Sequence, residues 1–168
     1  MTESKQGKGA AYRREAADGV TIRTAVAADV AGVVRIDERN TGLAKPGYWE
    51  DTFERYGARS SRFFLVAERG GQVAGYILGE IRAWEFGSPP CGWIFAIGVD
   101  RDVRLERLGT RLFDAMVECL GAAGATKLRT MVAVEDGLNL SFFRSQGMRG
   151  GPFIELEMEV NANGEGGA

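Results

Sequence analysis

The 168-residue chain contains no histidine. This absence excludes an imidazole base, a Ser–His or Cys–His nucleophile, and any metal site that needs His ligands. Cysteine is scarce too, because Cys91 and Cys119 are the only two and cannot form a four-cysteine zinc cluster. We interpret both as buried thiols and predict no bound metal. Any chemistry must therefore use carboxylates, hydroxyls, thiols, backbone amides or a bound cofactor.

The chain also lacks an excess of basic charge and a long apolar run. Lys and Arg number 21 against 23 acidic residues, whereas nucleic-acid modules usually carry a clear basic excess. The longest uncharged run, 86–99, is interrupted by Pro89 and Pro90 and is shorter than the roughly 20 residues that cross a bilayer. Residues 1–19 mix both charge signs around no apolar core, unlike a signal peptide. We predict a cytoplasmic protein without a nucleic-acid or membrane partner.

The composition that remains is that of a globular protein, with 45 % hydrophobic and 26 % charged residues. The polar, glycine-rich ends, 1–19 and 161–168, are predicted to be disordered tails. We therefore expect a single domain over 20–160.

Hydrophobic periodicity predicts the order of secondary structure within this domain. Four helices are expected. The first starts at Asp29, the second contains Trp49, Phe53 and Tyr56, and the others cover 108–121 and 138–146. A loop over 40–47 separates the first two. Strands are expected at 20–26, 62–68, 73–85, 93–99, 127–134 and 154–160. Hairpins imply antiparallel pairs, and the helix over 108–121 requires a parallel crossover. The predicted fold is α/β of the α+β kind, a mixed, mostly antiparallel sheet of six to seven strands flanked by about four helices.

The segment 93–112 has the sequence features of an anion site. A buried strand ends at Val99, a charged turn follows, and a helix begins near Leu108. Free backbone N–H groups at a helix start bind anions with help from the helix dipole. Four arginines crowd the turn, at positions 101, 104, 107 and 111. A salt-bridged, solvated turn is the alternative interpretation.

This segment resembles the pyrophosphate loop of the GNAT acyltransferases, Arg/Gln-x-x-Gly-x-Gly/Ala. The corresponding residues are Arg104, Leu105, Glu106, Arg107, Leu108 and Gly109, followed by Thr110. The first arginine and the last glycine match, and the element order matches over 20–160. Arg107 stands where the family has glycine, and it fits that position if its φ stays helical. The alternative is that pyrophosphate binding has been lost and Arg107 is an ordinary surface residue. The resemblance implies that these seven residues bind the pyrophosphate of acetyl-CoA or another acyl-CoA.

The resemblance also implies a path for the rest of the cofactor. Backbone groups of Ile97, Gly98 and Val99 would lie along the pantetheine arm, with one N–H facing the thioester carbonyl, and Gly98 would permit a bulge or serve packing alone. A second similar segment, 134–148, places three residues at cofactor-contacting positions, namely Asp136, Asn139 and Phe143.

At the positions of the family's acid and base, the sequence departs from the family pattern. Many relatives use a tyrosine to protonate the thiolate, and Phe143 at that position cannot do so. The strand glutamate of other members is replaced by Trp93, so Glu80 and Glu85 are the candidate bases, with ordinary surface charge as the alternative. We expect acceptor contacts from the loop 40–48, Tyr76, Trp84 and 86–92.

The resemblance implies an N-acyltransferase that moves an acyl group from acyl-CoA directly to a small-molecule or peptide amine. A non-catalytic acyl-CoA-binding module on the same fold is the alternative, because Arg107, Asp136, Phe143 and Trp93 all depart from the family pattern. The acceptor amine, the acyl chain and the oligomeric state, a homodimer included, stay open.

Overall fold

The computed structural model describes residues 11–57, 60–83, 89–103 and 107–159. The chain divides into two compact units, Met1–Met131 and Val132–Ala168. No helix in the described residues has the length and apolar character that a membrane span requires.

The first unit contains the sheet and three helices. In chain order its elements are β1 (Arg13–Glu15), β2 (Val20–Thr24), a 3₁₀ turn (Ala27–Asp29), α1 (Val30–Thr41), α2 (Pro46–Gly57), β3 (Arg62–Arg69), β4 (Gln72–Arg82), β5 (Cys91–Val99), α3 (Leu108–Ala122) and β6 (Leu128–Thr130). The second unit contains one helix, α4 (Gly137–Ser145).

The six strands lie in sequence order, β1 to β6. All neighbours pair antiparallel except β5 and β6, which are parallel and joined through α3. The β3–β4 hairpin turns at Gly70 and Gly71, whose φ values of 56° and 78° suit a type I′ turn. The predicted mixed, mostly antiparallel sheet with four helices is confirmed.

The helices of the first unit cover both faces of the sheet. On one face α1 and α2 bury apolar side chains, with Ile36 and Trp49 packing against Phe64 and Tyr76 of β3 and β4. On the other face α3 lies so close to β4 that a Cβ at Gly79 would meet the Met116 sulfur at 2.7 Å. Alternate residues of β4 face opposite ways, so Tyr76 contacts the α1 side while Gly75 and Gly79 face α3.

The prediction of a disordered tail over 1–19 is wrong for Arg13–Glu15, which form β1. This strand pairs with β2. Its residue Arg14 and the preceding Tyr12 donate hydrogen bonds of 2.7 and 2.9 Å to Glu118 of α3. These are contacts over about a hundred residues of sequence, which a local pattern does not reveal. Residues 1–10 and 160–168 lie outside the described residues.

The prediction of a final strand over 154–160 is also wrong for its described part, 154–159. That segment forms no strand, and its apolar residues Ile154, Leu156 and Met158 are exposed. Alternation favours a strand only when a neighbouring strand completes its hydrogen bonds and covers one face. Likewise, the strand predicted over 127–134 is formed only at Leu128–Thr130.

Candidate functional site

The end of β5 has a neighbouring strand on one side only. β6 pairs with Gly92, Trp93 and Ile94, and Thr130 Oγ1 donates to the Ile94 carbonyl at 3.0 Å. Beyond Ile94, no strand among the described residues pairs with that side of β5, while β4 continues to pair with its other side as far as Val99. The sheet therefore opens between β5 and β6.

The register shows which backbone groups of β5 face this opening. The Asp100 N–H donates to the Ala74 carbonyl of β4 at 2.9 Å. Because antiparallel pairs alternate, Gly98 also bonds β4, and Ile97 and Val99 direct their N–H and C=O groups away from it. The Val99 carbonyl accepts from Asn40 Nδ2 of α1 at 3.3 Å. Of the three predicted cofactor contacts on this strand, Ile97 and Val99 thus face the opening.

Of the two interpretations of Gly98, the bulge is wrong and the packing role agrees with the structure. Leu78 is opposite Ala96 and Gly79 is opposite Ile94, so Phe95 is the extra residue. Gly98 has another explanation, because a Cβ there would lie 2.5 Å from the Tyr76 ring. The glycine at this position makes room for Tyr76.

The turn after β5 is held by Asp100, which is buried. Its carboxylate lies 3.3 Å from Arg35 Nη2 and 3.1 Å from Arg39 Nη1, and it accepts the Asp102 N–H at 3.1 Å. Arg39 also contacts Asp102. Asp100 therefore fixes the direction in which the chain leaves the sheet toward α3.

Arg107 caps the start of α3 with φ 66° and ψ 20°, the only positive φ at a non-glycine residue in the described chain. The condition of a helical φ under which arginine was expected to fit is therefore not met, since the position keeps the left-handed conformation that glycine favours. Among the described residues, the first helical bond of α3 runs from the Arg111 N–H to the Arg107 carbonyl, at 2.9 Å. The amides of Leu108 and Gly109 lie before this bond and have no acceptor within the helix.

The arginines around this turn differ in what they contact. Arg101 donates to Asn40 at 3.2 Å, and Arg111 lies 2.7 Å from Asp18, which holds the pKa of Asp18 below its usual value. Arg107 is exposed and makes no ion pair with the described residues. Arg104, Leu105 and Glu106 lie outside the described residues, and so does their predicted contact with pyrophosphate.

The candidate base Glu80 faces Trp93 across the β4–β5 pair. Its carboxylate lies 2.9 Å from Arg62 Nε and 3.4 Å from Arg82 Nε, so both oxygens have guanidinium partners. Burial, followed by the nearby Glu80 charge, raises the pKa of Tyr56 to about 12. Glu85 and Trp84 lie outside the described residues.

Sequence reasoning missed a buried polar cluster on the α1 side of the sheet. Asp37 of α1 accepts from Trp49 Nε1 at 2.9 Å and lies 2.9 Å from Lys45 Nζ. The Tyr76 hydroxyl is 3.5 Å from its other oxygen. The signal was present, because Asp37 follows Val33 by four residues and so continues the apolar face of α1.

The second unit contains the remaining predicted contacts. Asp136 caps α4, accepting from the Asn139 N–H at 3.0 Å and from Asn139 Nδ2 at 2.7 Å. These hydrogen bonds, the backbone one first, lower the pKa of Asp136. Phe143 is buried and meets Phe142 edge-on at 5.2 Å. Asp136 thus starts the helix on which Asn139 and Phe143 lie.

Comparison with known proteins identifies the family. The model of the acetyltransferase (GNAT) family matches residues 30–148. No curated protein matches the sequence.

Solved structures show the same fold at low sequence identity. An aminoglycoside N-acetyltransferase in complex with CoA has a TM-score of 0.73 at 13 % identity, covering 83 % of this chain and 94 % of that one. A transcriptional regulator from Bacillus halodurans has a TM-score of 0.70 at 18 % identity, covering 84 % and 99 %. An aminoglycoside antibiotic 6'-N-acetyltransferase from Acinetobacter haemolyticus has a TM-score of 0.69 at 16 % identity, covering 83 % and 99 %. With the family match over most of the chain, the protein belongs to the GNAT acetyltransferase family.

Proposed function

We propose that this protein transfers an acyl group, with acetyl as the simplest case, from acyl-CoA to a primary amine. The observation that carries the proposal is the opening between β5 and β6, where the backbone of Ile97 and Val99 faces away from β4 beside the start of α3. A strand edge and a helix start are what an extended amide arm and an attached pyrophosphate would need. We assign this activity to the domain predicted over 20–160.

The start of α3 suits a phosphate group. The amides of Leu108 and Gly109 lie at its first turn, where the helix dipole favours negative charge. The exposed guanidinium of Arg107 adds a positive charge with donors suited to phosphate oxygens. Arg104, Leu105, Glu106 and Thr110 are proposed to complete this contact, as the family motif implies.

The edge of β5 suits the arm of the cofactor. The N–H of Ile97 faces the opening, where a thioester carbonyl would accept it and where it would stabilise the oxyanion that develops during attack. The Val99 carbonyl already accepts from Asn40, so Val99 is proposed to contribute its N–H. Asn139 and Phe143 of α4 remain proposed contacts by resemblance.

Acyl-CoA supplies an activated carbonyl, and the reaction needs no covalent enzyme intermediate. The neutral amine nitrogen attacks this carbonyl, the C–S bond breaks, and the amine loses one proton. A thiol has a pKa of about 8.5, so the leaving thiolate can be protonated by water without the tyrosine that Phe143 replaces. A carboxylate or water takes the amine proton. That several structural neighbours are named as aminoglycoside N-acetyltransferases supports an amine acceptor.

One observation favours a binding module instead. Both carboxylate oxygens of Glu80 have arginine partners, and these guanidinium groups compete with an incoming amine for this candidate base. A module of this kind would bind acyl-CoA through the same strand edge and helix start and would release no thiol.

Titration calorimetry with acetyl-CoA, paired with a free-thiol assay over a panel of amines, separates these functions. We expect binding and amine-dependent thiol release. Binding with no release for any amine would favour the module, and absence of binding would reject both. The Arg107→Glu variant tests the phosphate contact, because reversing this charge should weaken acetyl-CoA binding about tenfold or more. The matched control is Arg69→Glu, at an exposed end of β3.

A further inference from the structure

The cluster around Asp37 is arranged as a binding site for an ammonium group. One carboxylate oxygen accepts a hydrogen bond from Trp49 Nε1 and forms an ion pair with Lys45 Nζ, both at 2.9 Å. The other oxygen has the Tyr76 hydroxyl as its neighbour, at the longer distance of 3.5 Å. Asp37 is 4 % exposed, so its charge needs a cationic partner.

Aromatic rings form the rest of this ammonium cage, which we define as Asp37, Tyr48, Trp49 and Tyr76. Lys45 Nζ lies 5.9 Å from the centre of the Tyr48 ring. Trp49 meets Tyr48 and Tyr76 edge-on, at 5.2 and 4.9 Å between ring centres. A buried carboxylate beside aromatic rings binds an organic cation, and the cation that these residues contact is the primary ammonium of Lys45.

The present occupant of the cage comes from an exposed loop. Gly42, with φ 76°, ends α1, and Pro46 begins α2. Between them Leu43 is 61 % exposed, while Lys45 turns inward and keeps its side chain 33 % exposed. Lys45 thus reaches the buried carboxylate from a loop that is in contact with solvent.

The cage also adjoins the part of β5 that the proposed function uses. The Tyr76 ring fills the space above Gly98, and its hydroxyl would lie 2.8 Å from a Cβ at that position. Asn40, three residues after Asp37 on α1, donates to the Val99 carbonyl. One turn of α1 thus presents the carboxylate and contacts the end of β5.

We propose that Asp37 is the subsite for the ammonium group of the acceptor, and that Lys45 is an internal occupant which the acceptor displaces. The acceptor class is then a slim aliphatic primary amine, such as a lysine side chain or a linear diamine, because the cage already accommodates such a group. This inference rests on the proposed function for the fate of the amine: the bound ammonium first gives one proton to water, and the neutral nitrogen then attacks the thioester and loses its second proton as described above. The binding step does not depend on the proposed function.

The first test measures binding without acyl transfer. Thermal unfolding is followed with increasing n-butylammonium for the wild-type protein, Lys45→Met, Lys45→Arg and the double variant Lys45→Met/Asp37→Asn, with butyrate as the anion control. Lys45→Met keeps the long stem and removes the competing charge. We expect n-butylammonium at ten times its dissociation constant to raise the Tm of Lys45→Met by about 3 °C. The shift should be smaller in the wild type and in Lys45→Arg, and absent in the double variant.

The second test separates KM from kcat with n-butylamine as acceptor. If Lys45 fills the cage nine times in ten, its removal should lower KM for the amine about tenfold, because the apparent affinity scales with the open fraction. The kcat should change little, and Lys45→Arg should keep a KM near that of the wild type.

The two tests fail in different ways. A Tm shift in Lys45→Met without thiol release from any amine would support the ammonium site and reject the proposed acyl transfer. The opposite result is thiol release with n-butylammonium Tm shifts that are equal in Lys45→Met and the double variant, or absent from both. It would overturn the ammonium site while the proposed function stands. An increased KM in folded Lys45→Met would overturn the role of Lys45 as a competitor.

Discussion

β5 borders two candidate sites, the candidate phosphate site and the ammonium cage, and these are built from different parts of the chain. At the α3 end, the candidate phosphate site consists of backbone amides and one arginine, and all of it lies within a dozen residues of sequence. On the α1 face, the ammonium cage consists of side chains from α1, α2 and β4, brought together over about forty residues. A backbone site tolerates changes of side chain that a side-chain site does not. The comparison therefore predicts unequal responses to substitution.

The largest expected effect is on the cage side, at Asp37. The Asp37→Ala substitution leaves the Trp49 N–H and the Lys45 ammonium without their buried acceptor, so the free energy of unfolding should fall by about 3–5 kcal/mol. Urea unfolding measures it. Asp51→Ala on the exposed face of α2 is the control and should change stability by less than about 0.5 kcal/mol. Equal losses in the two variants would mean that the cluster contributes nothing specific.

The corresponding buried carboxylate near the candidate phosphate site is Asp100, in the turn between β5 and α3. Asp100→Ala removes the acceptor of two arginines and of the Asp102 N–H, and should lower the free energy of unfolding by about 2–3 kcal/mol. Because this turn directs the chain into α3, acetyl-CoA binding should weaken as well, as measured by calorimetry on the folded variant. Asp102→Ala, at an exposed position, is the control. Unchanged acetyl-CoA affinity in folded Asp100→Ala would separate the turn from the binding site.

Gly98 lies between the two candidate sites, because it is a residue of β5 and packs beneath the Tyr76 ring of the ammonium cage. In Gly98→Ala the new methyl group would meet this ring at 2.5 Å, so we expect a loss of about 1–3 kcal/mol in the free energy of unfolding. Chemical denaturation would record it. Gly121→Ala in α3, where nothing lies within 4 Å, should instead be neutral or stabilising by up to about 1 kcal/mol. A neutral Gly98→Ala would show that the ring moves aside.

The smallest effect is expected at Arg107, and its sign is opposite. Arg107→Gly removes the strain of a side chain in the left-handed conformation but also gives the unfolded chain more freedom. The net effect should raise the free energy of unfolding by about 0.5–1 kcal/mol. Arg107→Ala keeps the strain and should show no such gain in the same denaturation series. If acetyl-CoA binds chiefly to backbone amides, both variants should lose less than about tenfold in affinity. A larger, equal loss in both would assign the binding to the guanidinium.

The sequence predicted the parts of the fold that follow from local chemistry. Gly70 and Gly71 indicated the β3–β4 hairpin, and the apolar stripe from Leu108 to Leu120 indicated the helix that makes β5 and β6 parallel. The same local logic was wrong at the ends. Arg13–Glu15 form a strand because Glu118 and β2 hold them, and 154–159 form none despite perfect alternation. Pairing depends on a neighbour that no local pattern contains.

For the candidate site, the sequence determined the strand, turn and helix that form the candidate phosphate site, since these are consecutive and their chemistry is that of the backbone. Only the tertiary structure decided that the bulge falls at Phe95, that Gly98 accommodates Tyr76, and that Arg107 takes a left-handed φ. It alone brought Asp37, Lys45, Trp49 and Tyr76 together. The physical reason is that side-chain contacts across elements depend on packing distances of a few ångströms, which spacing along the chain does not fix.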